Sequence, residues 1–279
     1  MRKISQKQSG FTLIEAIMVM TITAVLAAGV AIFLRKPIDG YMDLTRRTEL
    51  SDIADTAVRR ISRDLHLALP NSVRSAQPEC VEFMPTIDGG RYRTDVDASG
   101  GGKVFTTSDT ISAIDVIGTL RTVPVNGDRI VIYNLGIAGA DAYSGVNVAT
   151  VTAAGSTTSL VNFNSTQFPF ASPGNRFHIL SVSEPAVSYV CTGLGMDAAG
   201  NGTGTLYRYS AYVASGTEPG ACPVIPLGTP VLAQNLSACR FTYASGVTER
   251  SGLVSLRLGI TKSNETVSLY QDVHVNNVP

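Results

Sequence analysis

The chain carries one long apolar run, Phe11 to Leu34, broken by a single charge at Glu15. As a helix these 24 residues reach about 36 Å, enough to cross a hydrocarbon core of roughly 30 Å. A segment of that length cannot be hidden inside a domain of ordinary size without leaving a mark on the rest of the fold. A carboxylate near a bilayer core costs roughly 2.5–3.5 kcal/mol on insertion scales, so Glu15 needs a reason to be there. Basic residues flank the run on both sides (Arg2, Lys3 and Lys7 before it; Arg35, Lys36, Arg46 and Arg47 after), so counting them does not orient it. Ala27-Ala28-Gly29 would be a weak signal-peptidase site, but the apolar run continues through it as VAIFL.

The stretch K-Q-S-G-F-T-L-I-E-A-I-M-V resembles the N-terminus of type IV prepilins and type II secretion pseudopilins. In that family a membrane peptidase cuts between the Gly and the Phe on the cytoplasmic side and N-methylates the new terminus. The resemblance implies cleavage between Gly10 and Phe11, methylation of Phe11, and Glu15 as the assembly glutamate. It places the N-terminus in the cytoplasm and the C-terminal domain in the periplasm, on a single pass through the inner membrane, with later entry into a pilus or pseudopilus. The physical counterpart is direct. Cleavage creates an ammonium at Phe11, and Glu15 lies four residues on, on the same helical face. In low dielectric each charge needs the other.

Pro37 and Gly40 follow the run, so a kink or loosened turn is expected there. Helical spacing then resumes at Leu50, Ile53, Ala54, Ala57, Val58, Ile61, Leu65 and Ala68, and Pro70-Asn71 ends it. The organisation expected is a leader over 1–10, a hydrophobic helix over 11–36, its amphipathic continuation over 37–69, and an exported β-rich domain over 70–279. The fold class is α+β and pilin-like, with the long helix packed on a mainly antiparallel sheet. Strands are expected over 80–85, 128–134, 177–182, 186–191, 206–213, 239–244, 253–260 and 266–275. The last two alternate cleanly and are joined by TKSNE, which reads as an antiparallel hairpin. Gly/Ser/Thr-rich stretches at 94–110, 136–159 and 192–204 read as surface loops, and an inserted subdomain over about 100–185 is weighed without a clean boundary.

Four widely spaced cysteines with no CxxC fit two disulfides in an oxidising compartment. Of three connectivities, Cys191–Cys222 with Cys80–Cys239 is favoured: the first closes one loop-rich excursion and the second ties the first strand to a later one. Lys plus Arg equals Asp plus Glu at 22 each, so no overall basic charge suggests nucleic acid.

No catalytic or metal constellation is legible, so neither an enzyme nor a metal site is expected. His66, His178 and His274 lie outside HExxH or another tight ligand spacing. Asp272 and His274 share a strand face, as ordinary surface residues do. MDAAGNGTG (196–204) and DVDASGGG (95–102) faintly resemble calcium loops but lack the later acidic ligands, so no cofactor is expected and calcium is the one weighed. Arg91-Tyr92-Arg93 reads as a solvated turn.

The run from Ser251 to Pro279 resembles the end of the O-type biogenesis proteins of mannose-sensitive haemagglutinin pili, and RRISRDLHLALPNSVR resembles J-type minor pseudopilins. These likenesses imply a minor pilin or pseudopilin that helps initiate or cap a filament. Its partners would be the prepilin peptidase and N-methyltransferase, other pilin subunits and the inner membrane. The alternatives are a minor pseudopilin of a type II secretion system and a tip adhesin for a surface or glycan.

Overall fold

A computed structural model describes residues 10–210, 212–245 and 251–279 of the chain. The leader residues 1–9, with Arg2, Lys3 and Lys7, lie outside the described residues. The first element is helix α1, Leu13–His66, of 54 residues. It continues as one helix through Pro37 and Gly40, where the sequence leads one to expect a kink or loosened turn. Proline removes one i→i−4 bond and costs roughly 3 kcal/mol in a helix interior. Long helix-favouring runs on both sides propagate across that single fault, because nucleation is costly and extension is not.

The chain divides into two compact units, Met1–Glu49 and Leu50–Pro279. In the first, the described side chains of α1 are nearly all exposed. In the second, the rest of α1 buries one stripe: Leu50, Ala54, Ala57, Val58, Ile61 and Leu65 are all sealed from solvent. Their spacing of three and four is the amphipathic signature.

That stripe packs on a six-stranded antiparallel sheet. Its order is β1 (Cys80–Phe83), β8 (Val187–Thr192), β9 (Gly204–Ser210), β10 (Val231–Ala244), β11 (Gly252–Lys262) and β12 (Glu265–Val275). Phe83, Tyr189, Leu206, Phe241 and the alternating Val254, Leu256, Leu258 and Ile260 supply the opposing core. The hairpin β11–β12 forms where TKSNE places it. Its turn is Ser263-Asn264, both at positive φ, which fits the twist of the flanking strands.

One polar cluster fixes α1 on this sheet. Asp64 stands in the last turn of α1, where a negative charge opposes the helix dipole and so needs a partner. Its Oδ2 accepts Tyr189 Oη–H at 2.8 Å and Arg208 Nε–H at 2.7 Å, and Arg60 approaches Oδ1 at 3.3 Å. Arg208 also makes a forked pair with Glu184, at 2.7 and 3.2 Å. Burial pulls the Arg208 pKa down, and its hydrogen bonds to Glu184 and Asp64 more than reverse that. The bond to Arg208 holds the Glu184 carboxyl below its usual range, against partial burial.

The stretch weighed as an inserted subdomain contributes most of a second sheet within the same compact unit. Strands β2 (Thr86–Tyr92), β3 (Ile111–Ile117), β4 (Arg129–Ile132), β5 (Val148–Thr150), β6 (Leu160–Thr166) and β7 (Arg176–Leu180) form a second sheet, ordered β5-β4-β7-β2-β3-β6. It has its own aromatic core of Tyr92, Phe105, Phe163, Phe168 and Phe177. Four of its strands, β2, β3, β5 and β6, fall outside the strands expected from sequence, and β5 lies inside a stretch expected to be loop. The reason is visible in β2: TIDGGRY is poor in β-formers and is held by its neighbours on both sides.

The two sheets are joined around Arg74. Its guanidinium pairs with Glu82 of β1 at 2.5 Å and bonds Ser215 O at 2.9 Å. The ring of Tyr143, from the loop between β4 and β5, lies 3.5 Å from the Arg74 guanidinium carbon. Tyr212 hydroxyl donates to the same Glu82 carboxylate.

Candidate functional site

The Gly10–Phe11 bond precedes the first helical residue. Gly10 is exposed, with open space around its Cα, and Phe11 is 80 % exposed. Thr12 C=O accepts the N–H groups of Glu15 at 3.1 Å and Ala16 at 3.2 Å, which starts α1. The scissile bond expected from sequence therefore lies in non-helical backbone, where a peptidase can extend it. Glu15 sits exposed in the first turn, where the free N–H groups of the helix favour a negative charge. It lies four residues beyond Phe11, close to one turn of helix.

Behind Glu15, Leu13–Phe33 is a 21-residue stretch of mean hydropathy 2.4, none of it buried within the structure. At 1.5 Å per residue it reaches about 31 Å, a bilayer's hydrocarbon thickness. It is compatible with a single-pass membrane anchor. Thr21 and Thr23 return their hydroxyls to carbonyls of the preceding turn, so neither leaves an unsatisfied donor in that segment.

The other sequence candidates do not gather at this motif. The strand alternation of β2 sends Tyr92 inward, with its ring centroid 4.3 Å from that of Phe105, so Arg91-Tyr92-Arg93 is not a basic-aromatic surface. Asp272 accepts Ser255 Oγ–H at 2.5 Å and Tyr270 Oη–H at 2.7 Å, which lower its pKa; it belongs to an exposed cross-strand ladder with Ser255. His178 lies on β7; burial, reinforced by Arg176, lowers its pKa to about 4. His66 ends α1 and His274 lies on β12.

The two calcium-like loops turn out to be one loop used twice. Asp97 Oδ1 accepts the N–H groups of Ser99 and Gly101, and Asp197 Oδ1 accepts those of Ala199 and Asn201. Gly100 and Gly200 take φ of 79° and 77° at matching positions. Each carboxylate is occupied by its own loop's donors, which hold its pKa down: Ser99 and then Gly101 at Asp97, Asn201 at Asp197.

The disulfides differ from the favoured pairing. They are Cys80–Cys222 and Cys191–Cys239, in place of Cys191–Cys222 and Cys80–Cys239. Face alternation explains the difference. Cys80 opposes Val190 across β1 and β8, so Cys191, one residue on, points to the other face. Cys191 lies in the helix-side core with Cys239. The segment Pro78-Glu79 runs between them, with Phe241 N–H donating to Pro78 C=O and Cys191 N–H to Glu79 C=O. Cys80, on the outer face, is met by Cys222 from the loop between β9 and β10.

A family model described as the prokaryotic N-terminal methylation motif matches residues 5–31. No curated protein and no solved structure matches the chain. The matched segment holds Gly10, Phe11, Glu15 and most of the bare apolar helix, and it is the substrate motif of the prepilin peptidase. The motif supports a type IV prepilin-like family, and points to a structural subunit rather than an enzyme.

Proposed function

We propose that the chain is a minor pilin that helps initiate or cap a type IV pilus of the mannose-sensitive haemagglutinin type. The observation that carries this reading is the methylation motif set on a helix whose apolar surface has no partner within its own unit. Hydrolysis of the Gly10–Phe11 bond leaves a carboxylate on Gly10 and an ammonium on Phe11, which is then methylated. The apolar segment waits in the inner membrane with its N-terminus on the cytoplasmic side. Glu15 is poorly matched to that medium. In a filament it meets the Phe11 ammonium of a neighbouring subunit, which fixes axial register. Transfer from bilayer to helix bundle is thereby favoured, and residues 70–279 ride outside.

Glu15→Ala tests this. Insertion and folding of the exported domain should survive, because the segment becomes more apolar. Losing one member of a desolvated pair typically costs about 3–5 kcal/mol, and even a third of that weakens recruitment roughly tenfold. A deletion strain carrying the variant at matched expression should hold processed protein in its membranes and show few filaments. Wild-type filament number would remove Glu15 as an assembly contact. Normal pili with failed protein secretion would move the chain to a type II secretion system. Mass spectrometry should show a mature chain beginning with N-methyl-Phe11, and an intact leader would end the reading.

A further inference from the structure

The outer face of the second sheet carries a charge arrangement that folding alone does not favour. Arg91 of β2 and Arg176 of β7 are direct cross-strand partners. Like charges placed opposite each other in a sheet destabilise it. Neither guanidinium makes an ion pair or hydrogen bond among the described residues, although Arg93, two positions on, is neutralised by Asp115 at 3.3 Å. Beside the pair the sheet has no side chain at Gly89, which opposes His178. A Cβ there would stand 2.8 Å from Phe177 O, so close strand approach dictates the glycine and leaves bare backbone as a floor.

A groove of about 490 Å³ runs over that floor, within the size range of ligand clefts, roughly 300–1,000 Å³. A second hollow adjoins it across Gly89, Thr119 and His178 and is lined by Arg121, whose backbone N–H is held by Asp88 at 2.7 Å. Three arginines and one aspartate thus line the two adjoining hollows, in a chain whose overall formal charge is zero. The charge comes from the arginines, since His178 is neutral near pH 7. Ile117, the partner of Arg91 on its other side, and Ile87 are both about half exposed and border the groove with apolar surface.

We propose that this groove binds an acidic saccharide, with Arg91 and Arg176 clamping a carboxylate on a sugar ring that lies across Gly89 and against Ile117. A paired guanidinium site suits a planar carboxylate, and a flat floor with an apolar edge suits a sugar face. Nucleic acid fits less well. The aromatic rings of Tyr92 and Phe177 beside the arginines are both sealed in the core, so no base can stack on them. The site stands independently of the assembly reading.

The test titrates the full chain, in detergent micelles, with a uronic acid hexamer, a neutral dextran hexamer and a single-stranded DNA 12-mer. The uronate should bind, weaken as salt rises, and lose about tenfold or more in affinity in the Arg91→Ala, Arg176→Ala double variant. That variant should melt no lower than wild type, because it removes a repulsive pair. Should it fail to fold, Ile117→Asp decides: an exposed carboxylate beside Arg91 should abolish binding without touching the core. Wild-type chain that ignores the uronate, binds dextran equally, or prefers DNA overturns the proposal. So does unchanged uronate affinity in either variant.

Discussion

From Leu13 to Phe33, α1 exposes Ile22, Val25 and Phe33; from Leu50 to Leu65 the same helix hides Leu50, Ile61 and Leu65. The backbone geometry is common to both stretches. The side chains differ: the first is apolar on every face, and the second is apolar along one stripe. A one-striped helix finds its partner in its own sheet. A helix apolar all round needs more cover than one sheet face offers, so its partners lie in a bilayer or among other helices. The two stretches therefore divide the work. One belongs to the packed body Leu50–Pro279, and the other leaves its apolar surface without cover inside its own unit. Substitutions that act on one stretch and spare the other test that division.

A large effect, on the scale of a buried core deletion, is expected at Asp64, the polar anchor of the packed stretch. Asp64→Ala strips Arg208 and Tyr189 of a shared acceptor in a largely buried setting. Deleting one member of a buried pair costs about 3–5 kcal/mol. Arg208 keeps its fork with Glu184, so the loss should fall near 3 kcal/mol. Denaturant unfolding of the micelle-held chain would read it. A loss under 1 kcal/mol would show that apolar packing alone holds α1 to the sheet.

Ile61→Ala should cost roughly 2–5 kcal/mol, since Ile61 is fully buried against the first sheet. Ile22→Ala, the same change at a residue 58 % exposed, should leave the domain's unfolding within about 0.5 kcal/mol. Thermal unfolding of both variants side by side checks this. Equal losses would mean the first stretch also packs within the chain.

Much of this division is legible in the sequence, because it rests on periodicity. Leu50, Ala54, Ala57, Ile61 and Leu65 announce their common face by spacing, and the β11–β12 hairpin announces itself by alternation and a polar turn. The N-terminal motif is local, so six residues suffice to point to Gly10, Phe11 and Glu15. What was hidden depends on which strand lies beside which. Cys80 and Cys191 look alike in sequence. Only the register of β1 against β8 reveals that they face opposite ways. Strand β2 is extended because β3 and β7 hold it, and its Gly-Gly gives no local sign of a strand. The twin loops share their turn for a reason not spelled in the sequence: Asp97 and Asp197 each close their own turn through backbone N–H groups.

Acid should act on the packed body and spare the bare stretch. His178 has a folded pKa of about 4 against an ordinary 6.5, so the fold favours its neutral form. Its contribution to stability is therefore fully present above pH 6.5. It declines as pH falls through 6.5 and levels off below about 4, by at most roughly 3 kcal/mol. His178→Gln should flatten the stability curve between pH 6.5 and 4. An unchanged slope would show that other groups carry the acid response. Helicity from Leu13 to Glu49 should persist across that range.

The smallest effect belongs to the solvent side of the packed stretch. Asp55 and Arg59 form an i,i+4 pair at 2.6 Å, with the acid on the N-terminal side, which is the better orientation. Their side chains are 51 % and 75 % exposed. Water screens such a pair, and holding two long side chains in one geometry costs entropy, so its net worth is about 0.3–0.5 kcal/mol. Asp55→Ala should therefore shift unfolding by no more than about 0.5 kcal/mol, and added salt should erase even that. Asp64 lies nine residues further along the same helix and also pairs with an arginine four residues away, Arg60. The two aspartates differ in whether the sheet closes over them. If Asp55→Ala cost as much as Asp64→Ala, the helix's own charge pairs would be stabilising it, and contact with the sheet would lose its place as the reason this half of α1 belongs to the domain.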